Sequence, residues 1–168
     1  MNSVLIEESR GKRYQAIGFL IVTAILWSSG GLLIKWVSWN PIAIAGTRSA
    51  IAAIVLLAFL RRPHLTWSSA QIGGAIAYTV TVILFVSANK LTTAANAILL
   101  QYTSPIYAAL FGAWFLGERA TRLDWITIFV VMGGMVLFFL DDLTTGGFWG
   151  NVCAISSGAT FACFVLFM

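Results

Sequence analysis

The sequence is poor in charged residues, cysteine and histidine. Charged side chains make up only 10% of its 168 residues. A soluble domain carries about 25% charged residues, so this chain lacks the polar surface that covers a water-exposed globule. Two cysteines are too few for a disulfide scaffold, and one histidine is too few for most metal sites. No phosphate-binding loop or nucleophile–base pair is recognisable, so the sequence predicts neither an enzyme nor a cofactor or metal site.

Long apolar runs dominate what is present. Apolar residues make up 60% of the chain, and the mean hydropathy is +0.91. Six runs approach the roughly 20 residues that a membrane-spanning helix needs, at 16–37, 41–60, 71–88, 92–116, 125–140 and 148–168. Because lipid cannot satisfy backbone polar groups, such runs are predicted to be helices. The expected fold is an all-α integral membrane protein, a polytopic bundle of about six transmembrane helices in a lipid bilayer.

The lysines and arginines alternate in a way that predicts orientation. Seven lie in the N-terminal tail (1–14, predicted to be polar and frayed) and in the second-to-third and fourth-to-fifth loops. Only Lys35 and Lys90 lie on the other face, so the N-terminus is predicted to be cytoplasmic in a multi-pass inner (plasma) membrane protein. The net charge of +4 forms no basic stripe, which argues against nucleic acid as a partner.

Arg48 is the one basic residue well inside an apolar run, since Lys35 lies near the end of the first run. It lies seven residues after Pro41, about 10 Å into the second helix. A guanidinium there costs about 2.5–3.5 kcal/mol on insertion scales, and such residues face the bundle interior or a wet cavity. Arg48 either has a structural role, reaching the outer interface or capping a helix carbonyl, or places a positive charge at the mouth of a solute path. Lys35 is predicted to be a snorkelling anchor.

The fourth run has the most polar interior. Asn96, Thr103 and Tyr107 are spaced to lie on one stripe of a continuous helix. Pro105 removes the hydrogen bond to the carbonyl of Gln101 and is predicted to kink the helix. These side chains either line a cavity or make hydrogen bonds between helices. The further cavity candidates are Gln101 and Tyr102 beside the proline, Tyr78 on the third helix, and Trp27 beside small residues of the first.

All six acidic residues lie outside the predicted spans or at their ends. No carboxylate is therefore expected at the bilayer centre. Proton-coupled exporters of cations usually keep an acidic residue at that depth, so this part of the sequence does not favour one.

The segment 104–138, SPIYAALFGAWFLGERATRLDWITIFVVMGGMVLF, resembles the fourth-to-fifth helix signature of the EamA family in the drug/metabolite transporter superfamily. The likeness depends on Pro105, on Gly117-Glu118-Arg119 at the helix end, and on Gly133-Gly134. The first helix is similar to the family's opening motif through Trp27 and Lys35, Arg48 falls where the family has its second-helix arginine, and 92–105 resembles the family's entry into helix four.

The resemblance implies ten helices in two inverted repeats of five, with a solute cavity near the midplane. Residues 15–141 would form the first repeat, helices 1–5, and 146–168 would be helix 6, an incomplete start of the second. By the same resemblance Glu118 belongs to a cytoplasmic helix-end signature. Its implied role is structural, pairing with Arg119 or Arg122 or capping the next helix.

Two functions remain open from the sequence. The first is a transporter or exporter of small metabolites, such as amino acids, that works by alternating access. Arg48 and Lys35, together with the lack of a buried acid, favour an anionic or zwitterionic solute. The alternative is a half-length membrane subunit that does not transport alone and functions only with partner chains. The expected partners are accordingly a small solute, the bilayer, and either a second copy or a missing second half.

Overall fold

A computed structural model describes the backbone of residues 2–60, 66–117, 120–140 and 146–168, and within these ranges the side chains from residue 13 onwards except 138 and 139. In this part of the chain the regular elements are seven α-helices and one π-helix. They are α1 (Asn2–Trp36), α2 (Pro41–Leu60), α3 (Ser69–Leu91), α4 (Ala94–Gln101), α5 (Ser104–Phe111), the π-helix (Gly112–Leu116), α6 (Arg122–Phe139) and α7 (Phe148–Leu166). The protein is an all-α polytopic membrane protein, as predicted.

The chain divides into two compact units, Met1–Trp36 and Val37–Met168. The first unit is α1, a single helix of 35 residues. It begins at Asn2, so the prediction of a frayed tail over residues 1–14 is wrong. The backbone of these polar residues continues the apolar helix towards the N-terminus, since nothing in the segment is a proline or a glycine until Gly11.

Among the described residues, four helices are long and apolar enough to cross a membrane. They are the Arg13–Trp36 part of α1, and the whole of α2, α3 and α7. The helix α3 begins two residues earlier than predicted, because the Ser68 hydroxyl accepts a hydrogen bond from the Gln71 N–H at 3.2 Å. A serine in this position stabilises the first turn by satisfying an N–H that has no partner in the helix.

The fourth predicted span is broken rather than kinked. The helix α4 ends at Gln101 and α5 begins at Ser104, with a turn at Tyr102 and Thr103. Pro105 cannot donate to the Gln101 carbonyl, and its ring excludes that carbonyl from a helical position. The backbone instead forms a tighter turn, in which the Thr103 N–H donates to the carbonyl three residues earlier, Leu100 O, at 3.3 Å. The predicted single stripe of Asn96, Thr103 and Tyr107 is therefore wrong, because these residues lie on α4, in the break and on α5.

The fifth predicted span corresponds to α6. Thr121 and Asp124 form a capping box at its start, in which each side chain binds the other residue's backbone N–H. The Thr121 side chain, followed by its backbone N–H, holds the pKa of the Asp124 carboxyl below its ordinary value of 3.8. Glu118 and Arg119, with the ion pairing predicted for them, lie outside the described residues.

The helix α7 packs against α3, α4 and α5. It is antiparallel to α3, since Phe167 contacts Gly73 at one end while Gly150 contacts Leu91 at the other. It is parallel to α4, since its start meets Thr92 and its middle meets Gln101. Small residues form the centre of the core between α3, α4 and α7, where Ala88, Ala97 and Ala154 are completely buried and Phe85, Leu100 and Cys153 pack around them.

Candidate functional site

Small residues bring α7 close to its neighbours. Its buried residues are Gly150, Ala154, Ser157, Gly158 and Ala162, which recur at three- and four-residue intervals along one face. A Cβ atom at Gly150 would lie 2.8 Å from the Thr92 backbone nitrogen. Small residues permit such close backbone approach between membrane helices, where packing rather than the hydrophobic effect drives association. The face therefore positions polar groups of α3, α4 and α7 within bonding distance.

A buried hydrogen-bond network joins the start of α7 to the junction of α3 and α4. The Asn151 Oδ1 atom accepts from the Thr92 hydroxyl at 3.0 Å and from the Asn96 Nδ2 amide at 3.2 Å. Asn96 is 3% exposed, and its amide also contacts the Thr92 hydroxyl at 3.2 Å. Asn96 thus makes an interhelical hydrogen bond, and its role in lining a cavity stays a prediction.

A second polar contact joins α3 and α7 further along the pair, about three helical turns from the Asn151 network. The hydroxyl oxygens of Thr81 on α3 and Thr160 on α7 lie 2.9 Å apart, within hydrogen-bond distance. Two other polar atoms in this core, Asn89 Oδ1 and Ser157 Oγ, are buried and have no hydrogen-bond partner within the described residues. Buried polar atoms are nearly always paired, so each of these exceptions needs an explanation.

The break in the fourth span is covered by α7. The Thr103 hydroxyl donates to Leu100 O at 2.6 Å and so satisfies a carbonyl at the end of α4. A Cβ at Gly158 would lie 2.9 Å from the Gln101 carbonyl oxygen and 3.2 Å from the Thr103 hydroxyl oxygen. Non-helical backbone at membrane depth is tolerated where it is buried in protein or lines water.

The remaining candidates of this span differ in exposure. Gln101 and Thr103 are half-buried, whereas Tyr102 and Pro105 are exposed. The half-buried Tyr107 stacks on Phe111, with ring centroids 6.2 Å apart.

Tyr78 lies on α3 towards its start, away from the break. Its ring is 43% exposed and packs on Phe164 of α7, with centroids 5.1 Å apart. The structure therefore does not place it with Asn96, which lies near the opposite end of the antiparallel α3–α7 pair.

Arg48 is exposed on α2, and within the described ranges no residue pairs with its guanidinium. Arg48 lies four residues after Ile44 and three after Ala45, the two buried residues of α2. It therefore lies on nearly the same side of the helix, one turn further towards its C-terminal end. Elsewhere in this unit, Lys90 Nζ of α3 donates to the carbonyl of Val37, which lies before α2. This contact brings the end of α3 close to the segment that leads into α2.

Trp27 belongs to the separate unit formed by α1 and is 68% exposed. Ala24, Ser28 and Ser29 of the same helix line a shallow groove with Ile25 and Leu32, and Trp27 is not among the lining residues. The role of Trp27 as a cavity wall or lid stays a prediction.

Several polar residues of the core were not singled out from the sequence, namely Thr81, Asn89, Thr92, Asn151, Ser157 and Thr160. The sequence could have indicated that Asn89 and Asn151 make hydrogen bonds, because burying an amide within or at the end of an apolar run is costly unless it is paired. The serine and threonine residues could not be identified as interhelical contacts from the sequence, since their hydroxyl groups in a membrane helix often bond the backbone of their own helix.

Comparison with known proteins identifies the group to which the chain is related. Residues 15–140 match the EamA-like transporter family. The chain belongs to this family. The match extends from α1 through the end of α6 and so includes the broken fourth span, which confirms the family predicted from the sequence.

Two relatives of the EamA chain illustrate its wider similarity. It is 26% identical over 156 residues to the uncharacterized inner membrane transporter YedA of Escherichia coli (strain K12), covering 86% of this chain and 50% of that protein. It is also 26% identical over 133 residues to an uncharacterized transporter of Archaeoglobus fulgidus, covering 74% of this chain and 47% of that protein. The chain thus spans about half the length of these relatives. No solved structure matches it significantly.

Proposed function

We propose that this chain forms part of an inner-membrane carrier that moves small metabolites, such as amino acids or related compounds, by alternating access. Membership of the EamA family and the transporter names of the relatives support this function over an enzyme. The structural observation that carries it is the helix break at Tyr102–Thr103, within a predicted membrane span. Discontinuous helices near the bilayer midplane commonly form the sites of secondary transporters.

The proposed solute is anionic or zwitterionic. Arg48 supplies a positive charge about 10 Å into its helix, without a protein partner in the described ranges. All acidic residues of the chain lie outside the predicted spans or at their ends, so a lipophilic cation finds no complementary charge at depth. The guanidinium can hold a carboxylate through two parallel hydrogen bonds.

Transport by the full-length protein in proteoliposomes tests this function. The twenty common amino acids, radiolabelled, serve as the first probes, in both uptake and efflux directions. We expect saturable transport that Arg48→Ala lowers at least tenfold, while Arg13→Ala, which removes an exposed charge of the same sign in the polar first part of α1, retains most of it. Gel filtration in detergent checks that both variants fold. Unchanged transport in folded Arg48→Ala would contradict the role of the arginine.

The same assay separates the carrier from a subunit that works only in an assembly. The 168-residue chain is reconstituted alone and together with the rest of the full-length protein expressed as a second chain. Activity of the chain alone, at the mass of a homodimer, supports the assembly subunit formed from two copies. Activity that needs the second chain supports the carrier.

A further inference from the structure

The helix α1 carries a set of side chains like the one through which α7 packs. In α7 the five buried residues are all small, and they are Gly150, Ala154, Ser157, Gly158 and Ala162. The same spacing in α1 selects five residues, called here the α1 face, which are Ala16, Leu20, Thr23, Ala24 and Ser28. All of them except Leu20 are of the small types that let membrane helices approach closely. An aromatic residue precedes the last member in both helices, Trp27 in α1 and Phe161 in α7.

This set of residues is covered in α7 and open in α1. In α7 it brings the backbones so close that a Cβ atom at Gly150 would lie 2.8 Å from the Thr92 backbone nitrogen. Every residue of the α1 face is exposed, and Ala24 and Ser28 belong to the shallow groove of that helix. The α1 face therefore has the shape for close packing without a helix packed on it.

Trp27 indicates that protein rather than lipid covers the α1 face. It lies three residues after Ala24 and four after Thr23, and so on the same side of the helix. The other six tryptophans lie outside the helices or within three residues of a helix end, where polar lipid groups are in reach. Trp27 instead lies nine residues before the end of α1, about 13 Å into the span.

The indole N–H of Trp27 lacks an acceptor at that depth. The side chain is 68% exposed, and no hydrogen bond joins its N–H to another of the described residues. Acyl chains offer no acceptor, and a polar group without a partner is costly in hydrocarbon. The N–H therefore points to a polar group on a protein neighbour of α1.

The neighbour comes from outside these 168 residues. Within the chain, α7 already covers the surface that α3, α4 and α5 offer to such a face, and a second copy would carry its own α7 in the same place. The chain covers only 50% of the length of YedA and 47% of that of the Archaeoglobus fulgidus transporter. A full-length protein of that size has enough further chain to form a second surface of this kind.

We propose that the α1 face packs against the rest of the full-length protein, which supplies a groove like that of α3, α4 and α5 and an acceptor for the Trp27 N–H. Leu20 and Ala24 take the places that Ala154 and Gly158 have in α7. Because they are larger, α1 lies further from its partner than α7 does from α4. The contact needs no solute, so it can be tested separately from the proposed transport.

Nitroxide labels on single cysteines test the contact in nanodiscs, in the full-length protein and in the 168-residue chain, both without other cysteines. Ala24→Cys and Ser28→Cys place labels on the α1 face. Gly18→Cys is the matched control, because it lies on the opposite side of α1 and nothing lies within 4 Å of its Cβ position. In the full-length protein we expect labels at 24 and 28 to collide with molecular oxygen several-fold less often than the label at 18. In the 168-residue chain all three should collide alike.

Two results of this experiment would overturn the proposal. One is equal access of oxygen to the three labels in the full-length protein. The other is protection of positions 24 and 28 in the 168-residue chain at the mass of a homodimer, which would assign the α1 face to a second copy.

A smaller change tests the Trp27 contact without a bulky label. Trp27→Phe keeps an aromatic ring and removes the N–H, so it should lower the melting temperature of the full-length protein by roughly 2–4 °C, the shift that loss of one hydrogen bond gives. The melting temperature of the 168-residue chain should not change. Trp36→Phe, at the end of the same helix, is the control and should leave both unchanged. An unchanged melting temperature of full-length Trp27→Phe would overturn the hydrogen bond. Neither experiment reads transport, so their failure is distinct from failure of the proposed function.

Discussion

The glycine at position 158 leaves no room for a side chain above the carbonyl of Gln101. A Cβ atom there would lie 2.9 Å from that oxygen and 3.4 Å from the carbonyl oxygen of Leu100. Both carbonyls belong to backbone at the end of α4, so neither can move aside as the tip of a flexible side chain does. The broken span and α7 are therefore fitted to each other at this point.

The substitution Gly158→Ala should destabilise the protein by about 1–3 kcal/mol, the usual cost of inserting atoms into a packed interior. Thermal or denaturant unfolding in detergent measures it. Alanine favours a helix over glycine by about 1 kcal/mol, so any loss reflects the contact with Gln101 and not the helix itself. Gly133→Ala is the matched control, because nothing lies within 4 Å of its Cβ position, and it should be neutral or stabilising.

Thr92 and Asn151 should be energetically coupled. We expect a double-mutant cycle of Thr92→Val and Asn151→Leu to give about 0.6 kcal/mol, and at most about 1.7 kcal/mol, as for other interhelical hydrogen bonds in membranes. The comparison cycle uses Thr92→Val with Thr160→Val, whose hydroxyl instead bonds Thr81. That pair should be additive within about 0.5 kcal/mol. Additivity in both cycles would show that the Asn151 network contributes nothing measurable.

Removing the ammonium of Lys90 should loosen the connection between α1 and α2. In Lys90→Met the Val37 carbonyl loses its donor, so backbone amides of Trp39 and Asn40 should exchange with solvent faster. Hydrogen–deuterium exchange with mass spectrometry measures the effect in detergent or nanodiscs. Lys35→Met should leave these amides unchanged, and equal effects of the two variants would disprove a specific role for Lys90.

The cap at the start of α6 should depend on pH through Asp124. Hydrogen bonds from Thr121 lower the pKa of this carboxyl, so they stabilise the helix fully above pH 3.8. The contribution is lost as pH falls through the lowered folded-state pKa. Thr121→Val should therefore raise the pKa of Asp124 towards 3.8, measured by NMR titration of its carboxyl carbon. A pKa that stays low in the variant would assign the shift to another cause.

The sequence predicted the helical class and the family, because apolar runs of about 20 residues and the motif around Pro105 are local features. It also located Arg48 correctly on the second helix. It could not predict how far Pro105 would disrupt its helix, since the break is completed by contact with Gly158, more than 50 residues away. For the same reason the bond between Asn96 and Asn151 was not predicted, because it joins two separate spans.

The distribution of lysine and arginine predicts that these helices cross a bilayer with the basic ends in the cytoplasm and the Lys90 end of α3 outside. Single cysteines at Tyr14, Trp39 and Arg122, in a protein with Cys153→Ala and Cys163→Ala, test it with an impermeant thiol reagent added to intact cells. We expect the reagent to label position 39 directly, and positions 14 and 122 only after permeabilisation. Labelling of positions 14 and 122 from opposite sides, or of all three from one side, would contradict it.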